Sequence, residues 1–244
     1  MNGAELVEIQ QWSFGSLIGY EENPLFNVNS EIVIHTWIIM IILAVALACV
    51  NFILRHTTLG RFILLQFVSF FVDLTKQSLG LFVYSHCVFA SSLFIFIALC
   101  NTAPLIPWLD EPTRDLNTAL ALGIIAFFYI QSATIKARGI GSYVKGFFQP
   151  FFVMLPLNII GKLSSIVSIS FRLFGNIFGG AVITKLYFSA IRGSIILELL
   201  GILSGINFLL IAFFTLFEGL LQAFVFAMLT LTYLSIGCQK DGGH

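Results

Sequence analysis

Charge is the scarcest property of this sequence. Asp, Glu, Lys and Arg make up 10% of its 244 residues against 58% hydrophobic ones, and the mean hydropathy is +0.98. Ordinary soluble domains carry about 25% charged residues, so the composition excludes that class and indicates an all-α polytopic membrane protein. Neither sign is in excess: twelve basic and twelve acidic residues cancel, which argues against nucleic acid or a strongly anionic surface as partner. Cysteine is also sparse. Cys49, Cys87, Cys100 and Cys238 lie mostly in apolar runs without Cys-x-x-Cys spacing, which speaks against a disulfide framework or a zinc site and leaves them as small apolar fillers. No metal or cofactor is expected. A Gly-x-x-x-x-Gly-Lys-Ser/Thr phosphate loop is missing, so nucleotide chemistry would belong to partner subunits. Met1 to Ser30 lacks the basic start and apolar core of a signal peptide, and the mature chain is expected to begin near Met1.

What the chain does have is long apolar runs. Residues 1–30, with Glu5, Glu8, Glu21 and Glu22, read as an extramembrane arm, and Trp12, Tyr20 and Trp37 suit a membrane interface. Spans are expected over 31–54, 81–105 and 115–134, each near the 20 or so residues that a crossing needs. Residues 62–80 mix apolar positions with Gln66, Asp73, Lys76 and Gln77, the pattern of an interfacial helix or of a polar-faced helix against other spans. Arg55 and Arg61 follow the first span, and Lys136, Arg138 and Lys145 sit in a Gly-rich turn after the third. Basic loops face the cytoplasm, which puts the acidic 110–115 loop and the N-terminus outside. Each of the two remaining stretches, 157–191 and 195–236, exceeds a perpendicular crossing, so each is broken or steeply tilted; two long tilted helices in a hairpin are the preferred reading.

Two polar sets lie inside this hairpin. In SSIVSISFRLFGNIFGG, from Ser164 to Gly180, Arg172 is the single charge, and Ser165, Ser168, Arg172, Asn176 and Gly179 share a narrow helical sector. An arginine at mid-bilayer costs about 2.5–3.5 kcal/mol even on insertion scales, and such residues usually mark function. The second arm carries Asn207, Thr215, Glu218, Gln222 and Tyr233, with Glu218 and Gln222 one turn apart. A carboxyl group can gain and lose a proton, whereas an arginine keeps its own. That contrast suits ion translocation. The alternative is that Arg172 and Glu218 neutralise each other within a scaffold. Asp115 has a similar double reading, as the N-cap of the third span or as a functional carboxylate.

The segments LNIIGKLSSIVSISFRLFGNIFGG (157–180) and LLQAFVFAMLTLTYLSIG (220–237), with PTRDLNTALAL (112–122) and KARGIGSYVKGFFQP (136–150), resemble subunit a of the F-type ATP synthases. The resemblance implies a static subunit beside a rotating ring of c subunits, with peripheral-stalk subunit b and the other synthase subunits as further partners. Two aqueous half-channels would carry protons to and from a ring carboxylate, with Arg172 as the fixed gate between them. Gln222 would face Arg172 from the last helix. Asp115, Asn117 and Asn101 would line the outer half-channel, and Asn207 and Glu218 would belong to the proton path, with Asn176, Ser168 and Tyr233 nearby. Two positions depart from the family pattern: Ala181 and Thr215 stand where glutamate or histidine is common. A bacterial plasma membrane is the preferred location, with the mitochondrial inner membrane second. A stand-alone channel or secondary transporter is the alternative function, disfavoured because no internal repeat is visible.

Overall fold

In the computed structural model of the chain, which describes residues 11–13, 27–106, 108–148 and 151–238, helices dominate. The acidic positions of the N-terminal arm, Pro107 and the tail 239–244 lie outside the described residues. Of the arm, β1 (Gln11–Ser13) pairs antiparallel with β2 (Asn27–Asn29). Then come α1 (Ser30–His56), α2 (Thr58–Leu79), α3 (Tyr84–Thr102), α4 (Leu116–Arg138), α5 (Ile140–Phe147), α6 (Leu155–Ile191), α7 (Ile195–Leu203), α8 (Ile206–Ile211), a π-helical segment (Ala212–Glu218) and α9 (Gly219–Cys238). Six helical stretches among the described residues are long and apolar enough to cross a membrane.

Helices α1, α3 and α4 stand over the stretches 31–54, 81–105 and 115–134, with shifted ends. Three features differ. The helix expected over 62–80 begins at Thr58, and it buries Phe71 and Thr75 while Asp73, Lys76 and Gln77 stay exposed. The Gly-rich turn after α4 is in part a helix: α5 folds back so that Lys162 of α6 sits 4.3 Å from the centre of the Tyr143 ring and 3.9 Å from that of Phe147. These cation–π contacts hold a short helix that glycine would otherwise disfavour.

The largest difference is in the hairpin. Its first arm is one 37-residue helix, α6, about 55 Å long at 1.5 Å per residue and therefore longer than the bilayer is thick. The second arm is not one tilted helix. It stops at Ser204 and restarts after Gly205, whose φ of 71° is open to glycine at little cost. It then widens into the π segment before α9 begins.

The core joins α3, α4, α6 and α9. Ile97, Ala119, Ala126, Leu173, Ala223 and Phe226 are almost fully buried within it. Small residues let the backbones approach, as expected where lipid offers no hydrophobic push. At Gly123 of α4, an added Cβ would collide with Ser170 Oγ of α6, a buried hydroxyl that has no hydrogen-bond partner among the described residues. Gly123→Ala is therefore expected to destabilise the protein, and Ser170→Ala, which removes the obstructing oxygen, to recover most of the loss. Thermal unfolding of the single and double variants checks this coupling.

Candidate functional site

Helix α6 has two faces. Ile169, Ser170, Leu173 and Ile177 point into the core, and Ser168, Phe171, Arg172 and Gly175 are exposed. Arg172 thus stands on an open face at the middle of the helix, and it forms no hydrogen bond or ion pair with any described residue. It is not paired with Glu218. A Cβ added at Gly161, Gly175 or Gly179 would meet nothing within 4 Å, so the stripe around Arg172 is shallow and unobstructed.

One turn beyond Arg172 the chain turns inward. Asn176 Nδ2 donates to Gln222 Oε1 at 2.8 Å, and Gln222 is 1% exposed. This bond ties α6 to α9 beside the arginine. Asn101 is also buried. Its Nδ2 donates to the Gly219 carbonyl at 2.9 Å, and its Oδ1 accepts from Thr113 Oγ1 at 2.8 Å. Gly219 is needed there, because a Cβ would come within 3.0 Å of Asn101 Cβ. Asn101 therefore knits α3, the 112–114 turn and α9 together.

These bonds form the floor of a cavity of about 340 Å³, lined by Asn101, Asp110, Glu111, Arg114, Asn176, Gly180, Ala181, Lys185, Thr215 and Glu218 among others. It has room for several waters and is polar enough to hold them. Glu218 is half-buried at the end of the π segment. That turn holds more residues than an α-helical turn, and each extra residue rotates what precedes it by about 100°; π turns are frequent at functional sites. Ala181 and Thr215 border the same space, so the volume left by these small side chains is open to Glu218 from the next turn.

A neighbouring cavity of about 460 Å³ shares Asp110, Glu111 and Arg114 and extends to Glu31, His35 and Asp115. Asp115 caps α4, accepting from the Asn117 amide at 3.0 Å, and it also lines this cavity. Asn117 is exposed on the first turn of α4. Asn207 accepts from Tyr187 OH at 2.8 Å and lines an adjoining cavity with Arg192, Glu198 and Lys185, the last of which also borders the Glu218 cavity.

A smaller cavity, about 150 Å³, lies at the opposite end of the bundle, between α4, α6 and α9. Gln131, Thr134, Lys162, Ser165, Ile169 and Tyr233 line it. Tyr233 belongs here and not with Glu218. Near this end Arg138 Nη2 donates to the Ile236 carbonyl at 3.0 Å, which joins the basic turn to the end of α9.

Sequence reasoning missed Glu111, Arg114, Lys185 and Lys162 as cavity residues. The signal for the first two was their position in the acidic loop beside Asp115. For Lys185, it was its place four residues after Ala181, a spacing that returns to the same helical face. Burial pushes the Glu111 carboxyl up to about 7, with Arg114 opposing the rise and Asp110 adding to it. Among the described residues, no group of three or more His, Cys, Asp or Glu is placed to hold a metal ion.

Residues 33–235 match the family described as ATP synthase A chain. The chain is 34% identical to ATP synthase subunit a of Moorella thermoacetica over 83% of its own length and 88% of the relative's. It is 30% identical to ATP synthase subunit a 2 of Acaryochloris marina over 89% and 88% of the two chains. It is 32% identical to a sodium ion specific ATP synthase subunit a from Propionigenium modestum, over 69% and 61%.

Removing Asn176 leaves a buried amide oxygen without its donor. Asn176→Ala is expected to cost about 1–3 kcal/mol of stability, and a second change, Gln222→Met, to return part of it. Thermal unfolding of the purified variants measures both.

Proposed function

Because this chain belongs to the ATP synthase A chain family, we propose that it is the static, proton-translocating membrane subunit of an F-type ATP synthase, with Arg172 as a fixed gate between two half-channels. The observation that carries this reading is where the cavities stop on α6. The larger one reaches back to Asn176, and the smaller one reaches forward to Ile169. Between them lie six residues, so that about 10 Å of helix separates the two ends, with Arg172 near the middle. The core side of that interval is closed by Leu173, Ala223 and Phe226, all with essentially no exposure. Protons arriving in either cavity can go no further inside the subunit. The remaining route is across the open face that bears Arg172.

A carboxylate brought to that face by a ring of c subunits completes the circuit. It is protonated from one cavity, carried around through lipid and deprotonated into the other. The guanidinium keeps its charge at every relevant pH, so it favours the ionised carboxylate as it passes and blocks direct proton leak between the cavities. The shallow Gly161, Gly175 and Gly179 stripe lets ring helices slide by without interlocking. Each pairing must also break again, and the driving force is about 2.3 kcal/mol per charge per 100 mV. An exposed, partly hydrated arginine meets that limit better than a buried ion pair.

In this reading Glu218 takes the role that Ala181 and Thr215 do not fill, Gln222 and Asn176 hold the site together, and Ser168 borders the ring-facing stripe. Peripheral-stalk subunit b and the remaining synthase subunits complete the complex, in an energy-transducing membrane that is the plasma membrane of a bacterium. The acidic loop faces outward and the basic turn inward. Glu31 and Asp110 to Asp115 share a cavity, so α1 begins on the side where α3 ends. If α1 and α3 both cross, α2 does not, which supports an interfacial or re-entrant α2.

Arg172→Ala should abolish ATP-driven proton pumping in membrane vesicles while the complex still assembles; pumping that persists would sink the gate. Glu218→Gln should slow proton flux and flatten its pH dependence. Flux that matches the wild type across pH would return Glu218 to a structural role.

A further inference from the structure

Two chambers adjoin on the outer side of the bundle, and the question is how a proton passes from one to the other. The first, around Glu31, His35 and Asp115, borders the start of α1 and the cap of α4. The second contains Glu218 and ends beside Asn176. The side chains of ionisable residues common to both linings are Asp110, Glu111 and Arg114. Asp110 and Arg114 are exposed, and an arginine does not exchange protons under these conditions. Glu111 is half-buried between the chambers and immediately precedes the 112–114 turn. That turn is anchored by Thr113, fully buried, through its bond to Asn101 Oδ1, which in turn is fastened to the Gly219 carbonyl. The carboxyl group is thus held on a rigid support next to the residue that follows Glu218.

We propose that Glu111 is the proton relay between the outer vestibule and the Glu218 chamber. This rests on the translocation reading above and adds a residue and a route to it. The step balances simply: the Glu111 carboxylate takes a proton from vestibule water and becomes the neutral acid. It then releases that proton to water in the Glu218 chamber and returns to the carboxylate. No other reactant is needed. The charged and titratable groups that face it are Asp110 and Arg114 on its own loop, Asp115 at the cap of α4, Glu31 and His35 of α1, Lys185 of α6 and Glu218 of the π segment. A relay works best when both of its forms are populated at the working pH. Burial gives Glu111 that property, since its carboxyl is pushed up to about 7. The acid form prevails below that pH and the carboxylate above it.

The test uses the whole complex in membrane vesicles, with ATP-driven proton pumping recorded from pH 5.5 to 9 and the amount of assembled complex measured in parallel. Glu111→Gln cannot exchange a proton. It is expected to lower pumping about tenfold and to remove the limb of the wild-type pH profile centred near 7, and Glu111→Asp is expected to keep pumping with that limb moved to lower pH. A Glu111→Gln rate close to wild type, or a lower rate with the same profile shape, would overturn the relay. Where Glu111→Gln fails to assemble, Glu111→Asp decides: a profile that superimposes on the wild type also overturns it. Arg172→Ala in the same vesicles reports separately on the translocation reading. If it still pumps, that reading fails; if it does not pump while Glu111→Gln does so normally, only the relay fails.

Discussion

A permanent positive charge at membrane depth, without a counter-charge among the described residues of its own chain, is the constraint on which the rest of this structure depends. Arg172 is exposed on α6, and Glu218, the internal partner that the sequence suggested as an alternative, lines a cavity and does not pair with it. A buried cation without a partner would cost several kcal/mol, so the fold keeps this one at an open face. Behind it Leu173, Ala223 and Phe226 are fully buried. The face beside it is kept shallow by glycines whose missing side chains would have met only open space. An arginine held this way is available to a carboxylate that arrives and departs.

The polar groups near the arginine divide into those that hold the site and those that border water-sized space. Asn101, Thr113, Asn176 and Gln222 are hydrogen-bonded across element boundaries, Asn101 to the 112–114 turn and α9 and Asn176 to Gln222. Their chemistry is spent on geometry. Glu111, Lys185 and Glu218 line the cavity without such bonds among the described residues, which leaves them free to exchange protons or to shape the local field. The π segment belongs to the same design. It lets α9 follow Gly205 and the close contact of Gly180 with Phe214, where an added Cβ would come within 2.8 Å of the ring, while Glu218 still borders the cavity.

How much of this was legible beforehand differs by level. The class of fold followed from composition and apolar run length, because a bilayer admits few alternatives to helices. The importance of Arg172 followed from its isolation among apolar residues. The break at Gly205 was less legible, since a glycine in an apolar run is tolerated in many membrane helices and only its φ settles the matter. Where Asn207 and Tyr233 stand relative to the cavities was not legible either, because it depends on how the arm is broken. Once the arm is interrupted at Gly205 and widened at Ala212–Glu218, Asn207 falls beside Lys185 and Arg192, and Tyr233 lies at the other end of the bundle.

By itself the sequence determined that the chain is helical and membrane-embedded, that one arginine is set apart, and that a carboxyl and an amide lie one turn from each other on the last helix. These follow from local periodicity and from solvent class, which are properties of neighbouring residues. Only the tertiary structure decided which polar groups face space and which face each other. It brought Glu111, 107 residues before Glu218 in the chain, to the lining of the same cavity, and it ended two cavities on either side of Arg172. The physical reason is that cavities are what packing leaves unfilled: they depend on how side chains from distant helices fail to meet, and no local pattern records that.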